Sequence, residues 1–206
     1  RPISGGDAQN RAYKPYEGQQ FEAGLKYSPV DLDGRFSIAY FDLKEKNALV
    51  SDASNVQVQA GERRGRGVEL QADVNLNDNG SLAGAYTYTD SKQDLSTNTT
   101  IRSPMMPRHM ASTQVAYKFN TGALNGLKLG TSLRYVGSTT DDQYYAGHTI
   151  PSYTLWDAMA QYTFAKDWQV QLNARNLTDK DYVSACSFYC YYGAGRSVEA
   201  SLSYKW

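Results

Sequence analysis

The residues of this chain that could do chemistry are few. Cys186 and Cys190 are its two cysteines, with three residues between them. Such a pair can form a disulfide or bind a metal, but no histidine or further cysteine lies nearby in sequence to complete a metal site. The two histidines are His109 and His148. Because neither has a carboxylate or nucleophile at a recognisable catalytic spacing, we expect no enzyme active site and a structural role for His109.

Aromatic residues crowd two segments close to these groups. They are Phe188, Tyr189, Tyr191 and Tyr192 in SFYCYYGAG, and Tyr144 and Tyr145 in DDQYYAGH. Rings that carry a hydroxyl group suit the wall of a binding pocket, because they combine apolar area with a hydrogen-bond donor. The alternative is that these rings fill loops or form an aromatic girdle at a membrane surface.

The elements that position these residues are predicted to be β-strands throughout. In LKLGTSLRY, apolar Leu127, Leu129 and Leu133 alternate with polar residues, as expected for a strand with one apolar and one wet face. The nine predicted strands are 19–28, 34–44, 58–75, 80–90, 109–119, 126–137, 152–164, 167–178 and 194–206. No segment has convincing helical periodicity, and no apolar run has the length of about 20 residues that a membrane helix needs.

The connections between these strands alternate in length. The short ones are SPVDLDG, NLNDNG, NTGALNG and AKD, and the long ones are 45–57, 91–108, 138–151 and 179–193. Regular alternation of this kind is typical of a transmembrane β-barrel of the bacterial outer membrane, which has tight periplasmic turns and long outer loops. A soluble β-sandwich is the alternative. The formal net charge of zero gives no reason to expect a nucleic-acid partner.

The last strand alternates most strictly. Val198, Ala200, Leu202, Tyr204 and Trp206 share one face. In a barrel this face contacts outer-membrane lipid, and an alternating last strand with a terminal aromatic residue is a signal that the barrel-assembly machinery reads. An ordinary edge strand of a soluble sandwich is the alternative. Because closed bacterial barrels have an even number of strands, nine strands predict a part of a larger barrel.

Four stretches resemble the TonB-dependent ferric-siderophore receptors of the hydroxamate (ferrichrome or ferrioxamine) type. KPYEGQQFEAGLKY at 14–27 is similar to the family's entry into a strand that reads Glu-x-Gly-x-Lys-Tyr. GERRGRGVELQADV at 61–74 resembles an Arg-x-Arg-Gly-Val-Glu pattern, and SPMMPRHMAS at 103–112 a Pro-x-x-Pro-x-His return. Residues 174–206 resemble an Asn-Leu-x-Asp-x-x-Tyr motif, a loop bracketed by cysteines and the closing strand.

This resemblance implies an all-β fold, in which residues 1–206 form about nine C-terminal strands of a 22-stranded barrel. The plug domain and the first strands would lie outside this chain, and TonB would grip the missing N-terminal part. The implied function is uptake of ferric hydroxamate siderophores across the bacterial outer membrane. Iron would enter as part of the siderophore complex, and no cofactor or metal would be bound directly.

The resemblance also implies roles for the residues described above. An outer loop forms in an oxidising compartment, which favours a disulfide between Cys186 and Cys190. The aromatic residues 188, 189, 191, 192, 144 and 145 become candidates for contact with the siderophore. Charged residues are expected on or near positions that face the barrel lumen, where they would pair with charges of the plug or with water. They are Arg63, Arg64, Arg66, Glu69, Asp73, Arg134, Asp157 and Arg175.

Two other functions remain open at this point. One is a barrel enzyme such as a protease or lipase, although its catalytic constellation is not apparent. The other is a TonB-dependent receptor for a different cargo, such as another class of siderophore, cobalamin or haem.

Overall fold

The computed structural model describes residues 11–51, 53–54, 56–141, 148–165, 167–186 and 189–206. The strands are β1 Glu17–Tyr27, β2 Gly34–Ser51, β3 Gln57–Asn75, β4 Gly80–Ser96, β5 Thr99–Arg102, β6 His109–Lys118, β7 Leu127–Val136, β8 Thr139–Thr140, β9 Thr149–Ile150, β10 Tyr153–Phe164, β11 Trp168–Arg175, β12 Val183–Cys186, β13 Cys190–Tyr192 and β14 Ser197–Tyr204. A single turn of 3₁₀ helix at Gly122–Leu124 precedes β7. Among these described residues, no helix is long and apolar enough to cross a membrane.

One large sheet contains all nine of the predicted strands. Their order is β1-β2-β3-β4-β6-β7-β10-β11-β14, and each pairs antiparallel with the next. β5 pairs with β4, while β8–β9 and β12–β13 form separate two-stranded hairpins. Neighbours in space are therefore neighbours in sequence, as in an up-and-down barrel wall.

The two faces of this sheet differ in chemistry. One face, here called the apolar face, carries rows such as Leu25, Ile38, Leu70 and Tyr86, which the strand register places side by side. Its side chains are open: Leu25 is 74% exposed, Val198 68% and Leu202 62%. The opposite face, here called the polar face, carries residues such as Gln71, Lys128 and Gln171. A sheet that leaves large apolar side chains uncovered along its length needs an apolar solvent.

Short turns close the sheet at one end, here called the turn end. In the turn after β3, Asn77 Oδ1 accepts hydrogen bonds from the amides of Asn79 and Gly80, at 2.9 and 2.7 Å. Aromatic rings line the apolar face here, and Phe164, Trp168 and Tyr204 lie in one row across three strands. Amphipathic rings at this level form the girdle expected at a lipid–water boundary.

At the opposite end, here called the loop end, two predicted loops are largely strands. β2 continues to Ser51, β3 begins at Gln57 and β4 continues to Ser96, so 45–57 and 91–96 are mostly paired backbone. The loop prediction was wrong here because the regular alternation of apolar and polar residues stops above Tyr40 and Tyr88, whereas the hydrogen-bonded ladders of β2 with β3 and of β3 with β4 continue.

The prediction that Arg64 and Arg66 face the lumen is also wrong. The register pairs Arg66 with Asp42 and Asp90, and Arg64 with Lys44 and Lys92, on the face that carries Val68 and Leu70. These two arginines therefore lie on the apolar face, between its apolar rows and the loop end. By contrast, Arg63, Glu69, Asp73, Arg134, Asp157 and Arg175 lie on the polar face, as expected.

Candidate functional site at the loop end

The cysteine pair closes a small hairpin at the loop end. Cys186 ends β12, Cys190 begins β13, and their sulfur atoms are bonded, as predicted. The Ser184 hydroxyl donates to the Tyr191 carbonyl oxygen at 3.0 Å and adds a second tie between the two strands. The two strands of this hairpin are therefore tied together at two points, by a disulfide and by a hydrogen bond.

An aromatic stack ties the base of this hairpin to the barrel wall. The ring of Tyr182 lies 4.3 Å from that of Tyr153, the first residue of β10. Gly193 also lies against the Tyr182 ring, and its backbone amide donates to the Tyr182 carbonyl oxygen at 2.8 Å. A Cβ at Gly193 would lie 1.9 Å from the Tyr182 ring, so this close approach requires glycine.

Asn176 connects the same loop to the sheet. Its side-chain amide accepts from the Lys180 amide at 2.9 Å and donates to the carbonyls of Lys180 and Ala194 at 3.0 and 3.2 Å. The backbone amide of Asn176 donates to Asp157 Oδ1 at 2.9 Å. Asp157 Oδ2 in turn accepts a hydrogen bond from Nε of Arg134, on the neighbouring strand, at 2.8 Å. Sequence reasoning matched Asn176 only to a family motif; it did not identify these contacts.

Three of the six predicted cargo-contacting residues are described, and all three are open to solvent. Tyr189, Tyr191 and Tyr192 are 66%, 58% and 75% exposed. Phe188, Tyr144 and Tyr145 lie outside the described residues. β9, which follows the segment with the two neighbouring tyrosines, contacts β12 of the cysteine hairpin. The fold thus brings the flanks of both predicted aromatic segments together.

A buried acidic group that sequence reasoning missed lies beside these segments. Asp141 is 5% exposed, and its Oδ2 lies 3.2 Å from Nδ1 of His148. Its Oδ1 has no hydrogen-bond partner among the described residues. The two residues flank the ends of β8 and β9, where the Asp141 amide donates to the His148 carbonyl at 3.0 Å. No group of three metal-binding side chains occurs in the described parts of the chain.

A twisted antiparallel wall with one apolar face, an aromatic row at its turn end and structured loops at the other end defines an outer-membrane β-barrel protein. Comparison with known proteins gives the family. Residues 2–177 match the family described as TonB dependent receptor-like, beta-barrel. The chain therefore belongs to the TonB-dependent receptor β-barrel family, which consists of transporters and not of enzymes.

Individual relatives agree with this assignment. The chain is 38% identical over 98% of its length to the ferrioxamine B receptor of Salmonella typhimurium, and 36% identical over 94% to the ferrichrome outer membrane transporter/phage receptor of Escherichia coli. It is 36% identical over 88% of its length to the metal-pseudopaline receptor CntO of Pseudomonas aeruginosa. The chain covers 30%, 27% and 26% of these three proteins.

A solved structure confirms the fold. The ferripyoverdine receptor FpvA of P. aeruginosa superposes with a TM-score of 0.83 at 24% identity, over 98% of this chain and 29% of that one. The nine strands thus correspond to part of a TonB-dependent receptor barrel, and the chain is an outer-membrane protein.

Proposed function

We propose that this chain is the C-terminal part of a receptor that takes up a ferric hydroxamate siderophore, with energy supplied through TonB. The observation that carries the proposal is the 38% identity to a ferrioxamine B receptor over 98% of this chain. Because the chain spans less than a third of that relative, the plug domain, the remaining strands and the TonB-gripping segment belong to the rest of the receptor.

The loop end supplies the chemistry for cargo recognition in this proposal. A ferric hydroxamate has a partly apolar skin and a few carbonyl and hydroxamate oxygens. Tyr189, Tyr191 and Tyr192 offer apolar rings with hydroxyl donors for this surface, and we assign the same role to Phe188, Tyr144 and Tyr145. The disulfide and the Tyr153–Tyr182 stack already restrict the hairpin before binding. The hairpin therefore loses less conformational entropy when it binds, which favours affinity.

The test is a cargo panel measured on the full-length receptor in detergent. We expect quenching of intrinsic fluorescence by ferric ferrioxamine B or ferrichrome and none by a ferric tris-catecholate. Uptake of the bound complex should stop in cells that lack TonB. Absence of binding to every trihydroxamate would contradict the proposal.

The aromatic contacts are tested by alanine replacement of Phe188, Tyr189, Tyr191 and Tyr192 together. The affinity for the bound trihydroxamate should fall several-fold, because the rings provide contact area and donors. A matched control replaces Tyr162 and Tyr204, two tyrosines of the turn end, by phenylalanine. Equal affinity in the alanine variant and the wild type would remove the hairpin from the binding site.

A second cargo has specific support. The chain is also 36% identical to a metal-pseudopaline receptor, over largely the same residues. This similarity favours a cargo in which a different chelator holds the metal. A metal-pseudopaline complex added to the panel distinguishes the two, because a receptor of this kind would bind that complex and no trihydroxamate.

A further inference from the structure

A cluster of cations lies on the apolar face, above its apolar rows. This cluster, here called the basic band, consists of Lys44, Arg64, Arg66, Lys92, Arg102 and Arg108. The register places Lys44, Arg64, Lys92 and Arg102 in one row across β2, β3, β4 and β5. One row lower, Arg66 lies between Asp42 and Asp90, and Arg108 approaches Asp90 from the start of β6. Directly below is the row of Tyr40, Val68 and Tyr88.

The acidic side chains of this region do not saturate the basic band. Arg64 bonds to both oxygens of Asp42, with its Nε at 2.9 Å. Asp90 is shared loosely between Arg66 and Arg108, at 3.7 and 3.8 Å. The other two acids nearby are Glu62, which pairs with Lys44 at 2.7 Å, and Asp94, which accepts from the Glu62 amide and the Thr100 hydroxyl. Six cations therefore face four carboxylates.

The arginines of the basic band remain available to a ligand. The side chains of Arg64, Arg66 and Arg108 are 49%, 52% and 48% exposed, although each has an acidic neighbour. Burial lowers the pKa of Arg102, and the charge of Arg108 lowers it further. Cations crowded in this way are stabilised by an added anion, and planar guanidinium groups match the oxygens of a phosphate two at a time.

An apolar groove lies on the same face below the basic band. It has a volume of about 590 Å³ and is bordered by Leu25, Tyr27, Phe36, Ile38, Leu70 and Tyr86. The small residues Ala72 and Gly84 leave room at its floor. From Gly84 to Asp90 the strand rises about 20 Å, or about 15 Å along the membrane normal at the usual tilt. This distance is similar to that between the headgroup of a lipid and the middle of its acyl chain.

The geometry points to a binding site for a phosphorylated lipid of the outer leaflet, with its phosphate on Arg64, Arg66 and Arg108 and an acyl chain in the groove. The excess of cations, the aromatic row beneath them and the groove below that row match the order of chemistry across one membrane leaflet: anionic, interfacial, apolar. A soluble partner would not need this order. The site lies on the opposite face from the polar lumen and does not depend on which cargo the receptor carries.

The test uses the full-length receptor in detergent, titrated with lipid A, a bisphosphorylated acylated disaccharide, and followed by native mass spectrometry. The triple variant Arg64→Gln, Arg66→Gln, Arg108→Gln should bind at least about ten-fold more weakly, because charge-assisted bonds to phosphate are roughly twice as strong as neutral ones. The matched control replaces the same number of cations on the polar face: Lys26→Gln, Lys118→Gln, Lys128→Gln. Equal loss in both variants, or in neither, would overturn the site.

A second variant and a competitor keep the result decisive if the triple variant does not fold. Gly84→Leu fills the groove, and a Cβ there has only the Ser112 carbonyl oxygen within 4 Å, at 3.8 Å. This variant should weaken lipid A binding and leave any binding of inorganic pyrophosphate unchanged. If pyrophosphate alone displaces lipid A at equal concentration, or if Gly84→Leu has no effect, the ligand is a free phosphate and the lipid site is refuted.

Discussion

Asn176 shows how a single side chain can organise a loop. It is 2% exposed, has a positive φ of 50° and satisfies three backbone groups of the segment that leads to the cysteine hairpin. Asparagine tolerates this left-handed conformation better than most residues do. Because its own amide reaches Asp157, the position of the candidate site is tied to the polar face of β10.

Replacement of Asn176 by alanine tests this role. The variant removes three hydrogen bonds to backbone groups of Lys180 and Ala194, and we expect a loss of about 1–3 kcal/mol in local stability. Hydrogen exchange of the full-length receptor should show faster exchange from 177 to 196. Asn173→Ala, on the polar face of β11, is the control and should leave this segment protected. Unchanged exchange at the Lys180 amide in the Asn176 variant would refute the role.

The disulfide is a second property at this scale. Because Cys186 and Cys190 enclose a short loop, the bridge should contribute no more than the usual value of about 2–4 kcal/mol. We expect no alkylation of either residue in receptor purified from outer membranes until a reductant is added, as measured by mass spectrometry. Two free thiols in the untreated protein would contradict the structure.

Among the elements, β3 contains two glycines, Gly65 and Gly67, whose surroundings differ. A Cβ at Gly67 would lie 1.9 Å from the Tyr88 carbonyl oxygen and 2.7 Å from the ring of Phe41. At Gly65, two residues earlier, nothing lies within 4 Å. The backbone of β4 and the ring from β2 thus both approach β3 at Gly67.

These two glycines form a matched pair for mutation. The Gly67→Ala variant must displace the backbone of β4, so its free energy of unfolding should fall by about 2 kcal/mol or more. A loss of this size is typical of overpacking in a tightly packed site. Gly65→Ala should change stability by about 0.5 kcal/mol or less. The measurement is the temperature at which the outer-membrane receptor loses its folded, fast-migrating form in detergent electrophoresis. Equal shifts for the two variants would disprove the close approach.

The nine long strands could be predicted from the sequence because each has one polar and one apolar face within the membrane. The sequence did not predict the upper parts of β2 and β4, since the alternation of apolar and polar residues stops there while the paired backbone continues. It also assigned Arg64 and Arg66 to the lumen side, although they share a face of β3 with Val68 and Leu70. The Asn176 and Asp141 contacts join residues through the fold, so no local pattern indicates them.

For the molecule as a whole, the decisive property is which solvent contacts the apolar face. Rows of exposed leucine, valine and aromatic residues cross every long strand, while the opposite face carries residues such as Lys128, Gln171 and Ser201. In water this face would drive aggregation, whereas in a lipid bilayer it is matched to its solvent. The proposed transport function, the proposed cargo site and the proposed site for a phosphorylated lipid all require this orientation.

The most direct measurement of that orientation is cysteine scanning of the full-length receptor in intact outer membranes with a thiol probe confined to the hydrocarbon layer. The two cysteines of this chain are bonded to each other, so the probe does not label them. We predict that the probe labels Leu129→Cys, Val170→Cys and Leu202→Cys. It should not label Lys128→Cys, Gln171→Cys or Ser201→Cys. If the first three stay unlabelled in folded receptor, lipid does not contact this face and the barrel interpretation is contradicted.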